Sequence, residues 1–200
     1  TGEVYNNFIS LSEINSNDIR GIVDGSPAGN SYNIFYNSLN ISGTVTGAKN
    51  SDAYHRINAS NTNFKNNILV NTRTGGTGKH YVIRTVSLLT NFNCNYNDIY
   101  AGGGTGNVFG RLDATDRINL ADWQAATGKD SNSVSGNPLF ASNTNLHIDS
   151  TGFSPVTNAG TPVAGIANDF DNNSRDLITP DIGADEFNSS LALNLIMFIE

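Results

Sequence analysis

The chain has 200 residues, a net charge of −7 and only 14% charged residues, whereas Asn, Gly, Ser and Thr together fill 87 positions. These four residue types compete with helix interiors, which argues against a helical bundle, and a hydrophobic share of 38% excludes charge-driven disorder. An isoelectric point near 4.7 with 11 basic residues disfavours nucleic acid as a partner, no apolar run is long enough to span a membrane, and Cys94, the single cysteine, excludes a disulfide scaffold and reads as a buried thiol.

Thr1 to Ser10 lacks the basic start and apolar stretch of a leader and reads directly as strand. An Asn-anchored strand then recurs as Tyr5-Asn-Asn-Phe-Ile-Ser10, Tyr32-Asn-Ile-Phe-Tyr-Asn37, Lys65-Asn-Asn-Ile-Leu-Val-Asn71 and Asn95-Tyr-Asn-Asp-Ile-Tyr100. With Asn7, Asn33, Asn67 and Asn97 as markers, the spacings are 26, 34 and 30. A second strand-like run precedes three of the markers, at 18–23, 53–58 and 80–86. The unit is therefore strand, turn, Asn-strand, turn and a loop of variable length. Such a period without intervening helices predicts a parallel β-helix whose coils stack about 4.8 Å apart. Phe8, Ile34, Ile68 and Ile99 are expected to stack inside it. The Asn residues are assigned to turns, because Asn tolerates left-handed backbone angles and its amides can form ladders. Sugar contacts from exposed Asn are the alternative.

The Gly/Thr clusters at 42–47, 72–78 and 102–106 read as loops leaving the coils. Lys79 follows one of them, but a strand rather than a helix comes next, which argues against a phosphate cradle. Residues 1–110 are thus the coils. Asp116 to Gly128 is the best helix, with Asp116 or Asn119 as its cap and Gly128 at its end. Trp123 reads as a plug packing that helix against the coils. Residues 111–187 form the C-terminal part of the β-helix, with the short helix, irregular short strands and an acidic closing loop. Residues 188–200 hold an apolar run, Leu191–Glu200, read as the start of a following module, so the chain is expected to be an excerpt of a longer secreted protein.

Candidate chemistry is sparse. Glu13, Asp18, Asp24, Asp52 and Asp98 do not recur at equivalent positions of adjacent coils, so no paired carboxylates are expected and no catalytic residue is assigned. His55, Arg56, His80 and Arg84 fall in two consecutive coils. With Tyr54 and Tyr81, whose rings can stack on sugars, they are the candidate glycan-binding residues. A solvated or turn-capping role is the alternative, and for the tyrosines a place in the solenoid wall. His147, between Leu146 and Ile148, is expected to face solvent. Asp169, Asp171 and Asn173 match the first three ligand positions of a Ca2+ loop, which then departs at Ser174 and Pro180. The competing reading is an acidic turn locked by Arg175 onto Asp176, Asp181 or Asp185.

From Trp123 onward the motifs become specific. Trp123-Gln-Ala-Ala-Thr-Gly-Lys-Asp130 leads to Ser135-Gly-Asn-Pro-Leu-Phe140, then to Ser154-Pro-Val-Thr-Asn-Ala-Gly160 and to Pro180-Asp-Ile-Gly-Ala-Asp-Glu-Phe187. This resembles the C-terminal end of bacterial right-handed parallel β-helix proteins of the pectin-lyase-like superfamily, and more narrowly the choice-of-anchor Q surface proteins. The resemblance implies a single-stranded right-handed β-helix secreted to the surface or medium of a Gram-negative bacterium. Three functions are in view. The favoured one is a non-catalytic stalk or adhesin that binds a polysaccharide or cell-surface glycan. The others are a polysaccharide lyase or hydrolase, and a fibre subunit that associates end to end through uncapped strand edges.

Overall fold

A computed structural model describes residues 1–12, 17–86 and 89–188, so the apolar run Leu191–Glu200 lies outside the described residues. The chain forms a parallel β-solenoid of about four turns with three strands per turn. The first coil holds β1 (Gly2–Tyr5), β2 (Phe8–Ser12) and β3 (Ile19–Asp24). The second holds β4 (Ser31–Phe35), β5 (Ser38–Ser42) and β6 (Ser51–Arg56). The third holds β7 (Asn61–Lys65), β8 (Ile68–Asn71) and β9 (His80–Thr85). The fourth holds β10 (Phe92–Asn95), β11 (Asp98–Ala101) and β12 (Asn107–Leu112). Parallel pairing builds sheet A (β1-β4-β7-β10), sheet B (β2-β5-β8-β11) and sheet C (β3-β6-β9-β12), to which β13 (Thr115–Arg117) adds antiparallel.

Each predicted Asn-strand is two strands joined at a sharp bend. The bend residues Asn6, Tyr36, Asn66 and Tyr96 all have positive φ, from 52° to 57°, a region that Asn tolerates and Tyr enters only when held there. The next residue is always Asn, and these residues form a ladder. The Asn7 side chain donates to Asn37 Oδ1 (2.8 Å), Asn37 to Asn67 Oδ1 (3.0 Å) and Asn67 to Asn97 Oδ1 (3.3 Å), each pair 30 residues apart. The backbone N–H groups of Asn37 and Asn67 donate to the same oxygens. The period is therefore constant. Asn33 is not a member of this ladder: it pairs with Asn63 on the exposed face of sheet A, so the apparent 26 and 34 come from a marker in the wrong column.

The interior is likewise a set of columns. Leu39, Leu69 and Ile99 are in register in sheet B, as are Ile34, Phe64 and Cys94 in sheet A, and all are buried in one cluster. Ile34 and Ile99 thus point inward as expected, but Phe8 and Ile68 do not. They share a column with Ser38 and Asp98 on the other face of sheet B. Ile68 there packs with Val70, Ile148, Val156 and Ile182 beneath the C-terminal segment. The Gly/Thr loops also stack rather than leave. Thr44 bridges Thr74, and the Val45 N–H donates to the Thr74 carbonyl (2.9 Å). Gly78 lies so close to the Lys49 backbone that a side chain would collide with it.

Helix α1 (Leu120–Thr127) closes the last coil. Asn119 is its cap, accepting from the Asp122 N–H, and Gly128 ends it at φ 65°. Asp116 is unavailable as a cap because it lies in β13 and accepts from the Tyr81 hydroxyl. Trp123 is fully buried and donates to Asp130 Oδ2 (2.8 Å). Asp130 Oδ1 in turn accepts from the Asn97 side chain, and Ser133 Oγ takes the Asn97 N–H, so these two residues terminate the ladder. Cys94 is buried with its thiol on Asp130, and burial holds that thiol well above its usual pKa.

From Val134 the chain runs down the outer face of sheet B as a strap. It contacts Ile99 through Ser135, Asn66 and Tyr36 through Thr161, Ser38 through Ala184, and Asn6 through Asn168. The acidic closing motif works by catching backbone N–H groups: Asp181 takes those of Asn158 and Phe187, Asp185 that of Ile148, and Glu186 those of Asp176 and Asp181. Burial nevertheless raises the Asp181 pKa to about 6, against the effect of its two N–H donors. A carboxyl whose pKa is higher folded than unfolded stabilises the fold fully below its unfolded pKa, and that contribution fades as pH rises through the folded value. For Asp181 this removes up to about 3 kcal/mol between about pH 4 and pH 7. Asp98, buried under the strap, shifts in the same direction. Burial lowers the pKa of His80, which opposes the trend on the acid side of its usual value. Thermal denaturation is expected to show a strap more stable near pH 5 than near pH 7.5. Asp181→Asn should flatten that profile, and an unchanged profile in this variant contradicts the assignment.

Candidate functional site

Sheet C carries the main concentration of charge. Its strands break strict alternation: Ala53 and Tyr54 are both in the interior cluster, as are Val82 and Ile83. Register skips Ala53 and Val82, and such local irregularities re-aim side chains. As a result Asp52 and His55, three residues apart, meet on the outer face.

Asp52 is 1% exposed and sits at the centre of a cationic group. Its Oδ2 lies 3.2 Å from His55 Nδ1, 3.5 Å from Arg20 Nε and 3.7 Å from an Arg84 guanidinium nitrogen. Its Oδ1, like His55 Nδ1, is buried without a hydrogen-bond partner among the described residues. The three basic side chains come from three successive strands of the sheet, β3, β6 and β9. Register places His55, Arg84 and Arg111 side by side across β6, β9 and β12. Tyr81, in register with Asp52, lies beneath Arg84 and Arg111, each 5.9 Å from its ring, and donates to Asp116 Oδ1 (2.9 Å). Burial and the Asp116 contact raise its pKa. Lys79 completes the group, 3.8 Å from Asp116. Arg20, Arg84, Arg111 and Lys79, together with His55, thus face two carboxylates on a protein whose net charge is −7. Guanidinium groups spaced one strand apart, about 4.8 Å, can each grip a carboxylate with two parallel hydrogen bonds.

Of the six candidate glycan-binding residues, the structure brings His55, Arg84 and Tyr81 to this face and turns the other three away. Tyr54 is inside, packed on Phe64 (4.2 Å) and parallel to Phe92. Arg56 is fully buried with its guanidinium over the Phe92 ring, 3.9 Å from Asp24, a carboxylate that also accepts from Ser60 and Thr62. His80 is buried between Ser51 Oγ (3.0 Å) and the Gly75 carbonyl (3.3 Å). Arg20, Asp52 and Arg111 complete the group. Asp52 had been set aside for lacking an acidic partner in the next coil, but what neighbouring coils supply is cations.

The other exposed sheet face is mostly amide, with Glu3 accepting from Asn33 and Lys129 at its edge. Asn33, Asn63 and Asn93 line an open trough of about 570 Å³ on sheet A, but their amides are bonded to one another, Asn63 to Asn33 (2.9 Å) and Asn93 to Asn63 (3.1 Å).

At the proposed Ca2+ loop, Asp169 accepts from the N–H groups of Asp171, Asn173 and Glu186 and from the Asn173 amide. Asn173 therefore points a donor, not an oxygen, at the centre of the loop. Asp171 turns away to His147, 2.7 Å from its Nε2. Arg175 does lock the turn, but onto Glu186 (3.3 Å), Asn6 (2.9 Å) and the Gly183 carbonyl, with its guanidinium 3.8 Å over Tyr36. The three aspartates expected as its partners are engaged with backbone N–H groups instead.

No helix among the described residues is long and apolar enough to cross a membrane. No protein-family model matches the chain, and neither the curated proteins nor the solved structures gave a match.

Proposed function

We propose that the protein is a non-catalytic β-solenoid module of an extracellular or cell-surface protein, a stiff stalk or adhesin whose sheet C face binds an anionic glycan. The observation that carries the reading is the row His55–Arg84–Arg111 with Arg20 alongside, held in place by the buried Asp52. The row advances by one strand per coil, a step comparable to the length of one sugar residue, so a polyuronate lying along the solenoid axis meets a basic side chain at each step. The resemblance of the closing Asp-Ile-Gly-Ala-Asp-Glu-Phe motif to bacterial β-helix surface proteins supports the extracellular setting.

The test is affinity for polygalacturonate and alginate beside a neutral glucan. Binding should favour the uronates and weaken with salt. Arg84→Ala and Arg111→Ala should each cost about tenfold, the value of one charge-assisted hydrogen bond. Equal affinity for the neutral polymer, or no loss in either variant, rules the reading out.

One observation favours a second reading. His55 Nδ1 lies 3.2 Å from the buried Asp52 carboxylate, and Arg84 stands beside it where a uronate carboxylate would be neutralised, so a neutral His55 is placed to take a proton. This is an arrangement for β-elimination by a polysaccharide lyase. In the same incubations, an unsaturated product seen by ultraviolet absorbance and abolished by His55→Gln replaces the binding module with a lyase.

A further inference from the structure

We infer that His147, Asp171 and Asp185 form a site for one divalent metal ion of the zinc class, distinct from the sheet C face and from the Ca2+ loop read in the sequence. The three residues come from three separate stretches of the strap, yet a ligand atom of each lies within 4.8 Å of the others. Zinc with one imidazole nitrogen and two carboxylate oxygens holds its ligands at about 2.0–2.2 Å, with a fourth position left for water. Ligand atoms on such a sphere are roughly 3–4 Å apart, so the His147–Asp171 pair, now 2.7 Å apart, has to open slightly while the widest separation closes.

The hydrogen-bonding of His147 points to a cation at this spot. Its Nδ1 lies 2.5 Å from Asn145 Oδ1, an acceptor that suits the tautomer with the proton on Nδ1. Its Nε2 lies 2.7 Å from Asp171 Oδ2. A neutral imidazole has one N–H, so an Nε2 lone pair would then face a carboxylate oxygen. One of the two ring nitrogens therefore lacks a proton for its oxygen neighbour, and a metal on Nε2 supplies the missing positive charge once Nε2 and Oδ2 part to the spacing of a coordination sphere. An amide oxygen on the distal nitrogen is also the outer support that metal-ligating histidines use.

Asp185 decides in favour of the metal. It is 6% exposed, and only its Oδ2 is engaged, by the Ile148 N–H (2.8 Å). Among the described residues, no Lys or Arg nitrogen forms an ion pair with Asp171 or Asp185. A buried carboxylate beside a second, solvent-exposed one at the same imidazole is poorly balanced by a single shared proton, and a dication answers both. Phe8 and Phe170 flank the site, with ring centroids 4.7 and 6.4 Å from the His147 ring. The mixed nitrogen and oxygen set selects zinc-class ions over Ca2+, which prefers six to eight oxygens. Bound there, the ion would fasten three stretches of a strap that lacks helix and sheet of its own, directly over the first coil.

The experiment strips the full chain with a chelator and titrates it with Zn2+ by calorimetry, with Co2+ absorbance reporting the coordination. One equivalent should bind and raise the melting temperature by several degrees. His147→Gln and Asp171→Asn, both partly exposed and so compatible with folding, should each weaken binding by at least about tenfold, and an excess of Ca2+ should not compete. Absence of binding, or binding that survives both substitutions, overturns the inference. So does finding both His147 nitrogens protonated by NMR in the presence of saturating Zn2+.

Discussion

Replacing Asn67 with alanine lowers the stability of the protein by about 4 kcal/mol, as the loss of several buried hydrogen bonds each worth about 1–3 kcal/mol when left unmade. The Asn67 side chain is fully buried and donates to the carbonyls of Ile34 (2.9 Å) and Lys65 (3.0 Å) as well as to Asn97. Its Oδ1 accepts both the N–H and the side chain of Asn37. Alanine keeps the backbone N–H bond to Asn97 Oδ1 but removes the side-chain partner of Asn37 and of the Ile34 and Lys65 carbonyls. The matching substitution in the outer column, Asn63→Ala, removes an exposed amide bonded to Asn33 and should change stability by less than about 0.5 kcal/mol. Chemical denaturation of the two variants side by side measures the difference. Equal losses would show that the turn ladder has no special weight.

Arg56→Met is expected to cost about 3–5 kcal/mol, because it leaves the Asp24 carboxylate buried without its cation. The side chains of both residues are almost fully excluded from water, at 0% and 2% exposure. Ser60 and Thr62 still donate to Asp24, but hydroxyl donors do not replace a charge. The double variant Asp24→Asn/Arg56→Met removes both charges and keeps an acceptor for those hydroxyls, so it should regain most of the loss. Under conditions where it folds, its affinity for uronates should equal that of the parent, in contrast to Arg84→Ala. A double variant no better than the single one means that Arg56 acts through its packing on Phe92 rather than through its charge.

The sequence made the repeat visible but not its phase. Asn33 and Asn37 both follow a tyrosine and both precede an apolar residue or strand, yet one lies on an outer face and the other in a bend. Amide chemistry suits the two columns equally, and only pairing separates them. The three runs assigned to the second strand, by contrast, correspond closely to β3, β6 and β9, because their β-branched and aromatic content leaves no rival. Trp123 as a plug and Gly128 as a helix end were also legible, each from a single residue with a narrow range of uses. The charged face was half legible. Tyr54, Arg56 and His80 were grouped with His55 and Arg84 by proximity in sequence. The paired inward residues Ala53 and Tyr54, which decide which side chains emerge, have no signature in one sequence. Arg175 as a lock was readable, but its partner Glu186 was not. The neighbouring aspartates had equal claims until backbone N–H groups were seen to occupy them.

The strap has a consequence for how the molecule comes apart. A solenoid is ordinarily a one-dimensional stack in which each coil feels only its neighbours, so its terminal coils fray first. Here one continuous segment, residues 134–187, bonds to Ile99 in the fourth coil, Asn66 in the third, Ser38 in the second and Asn6 in the first. Peeling away the first coil therefore means breaking contacts made by the same chain that covers the fourth. The ends are energetically connected, and the stack melts as one cooperative unit instead of unravelling coil by coil.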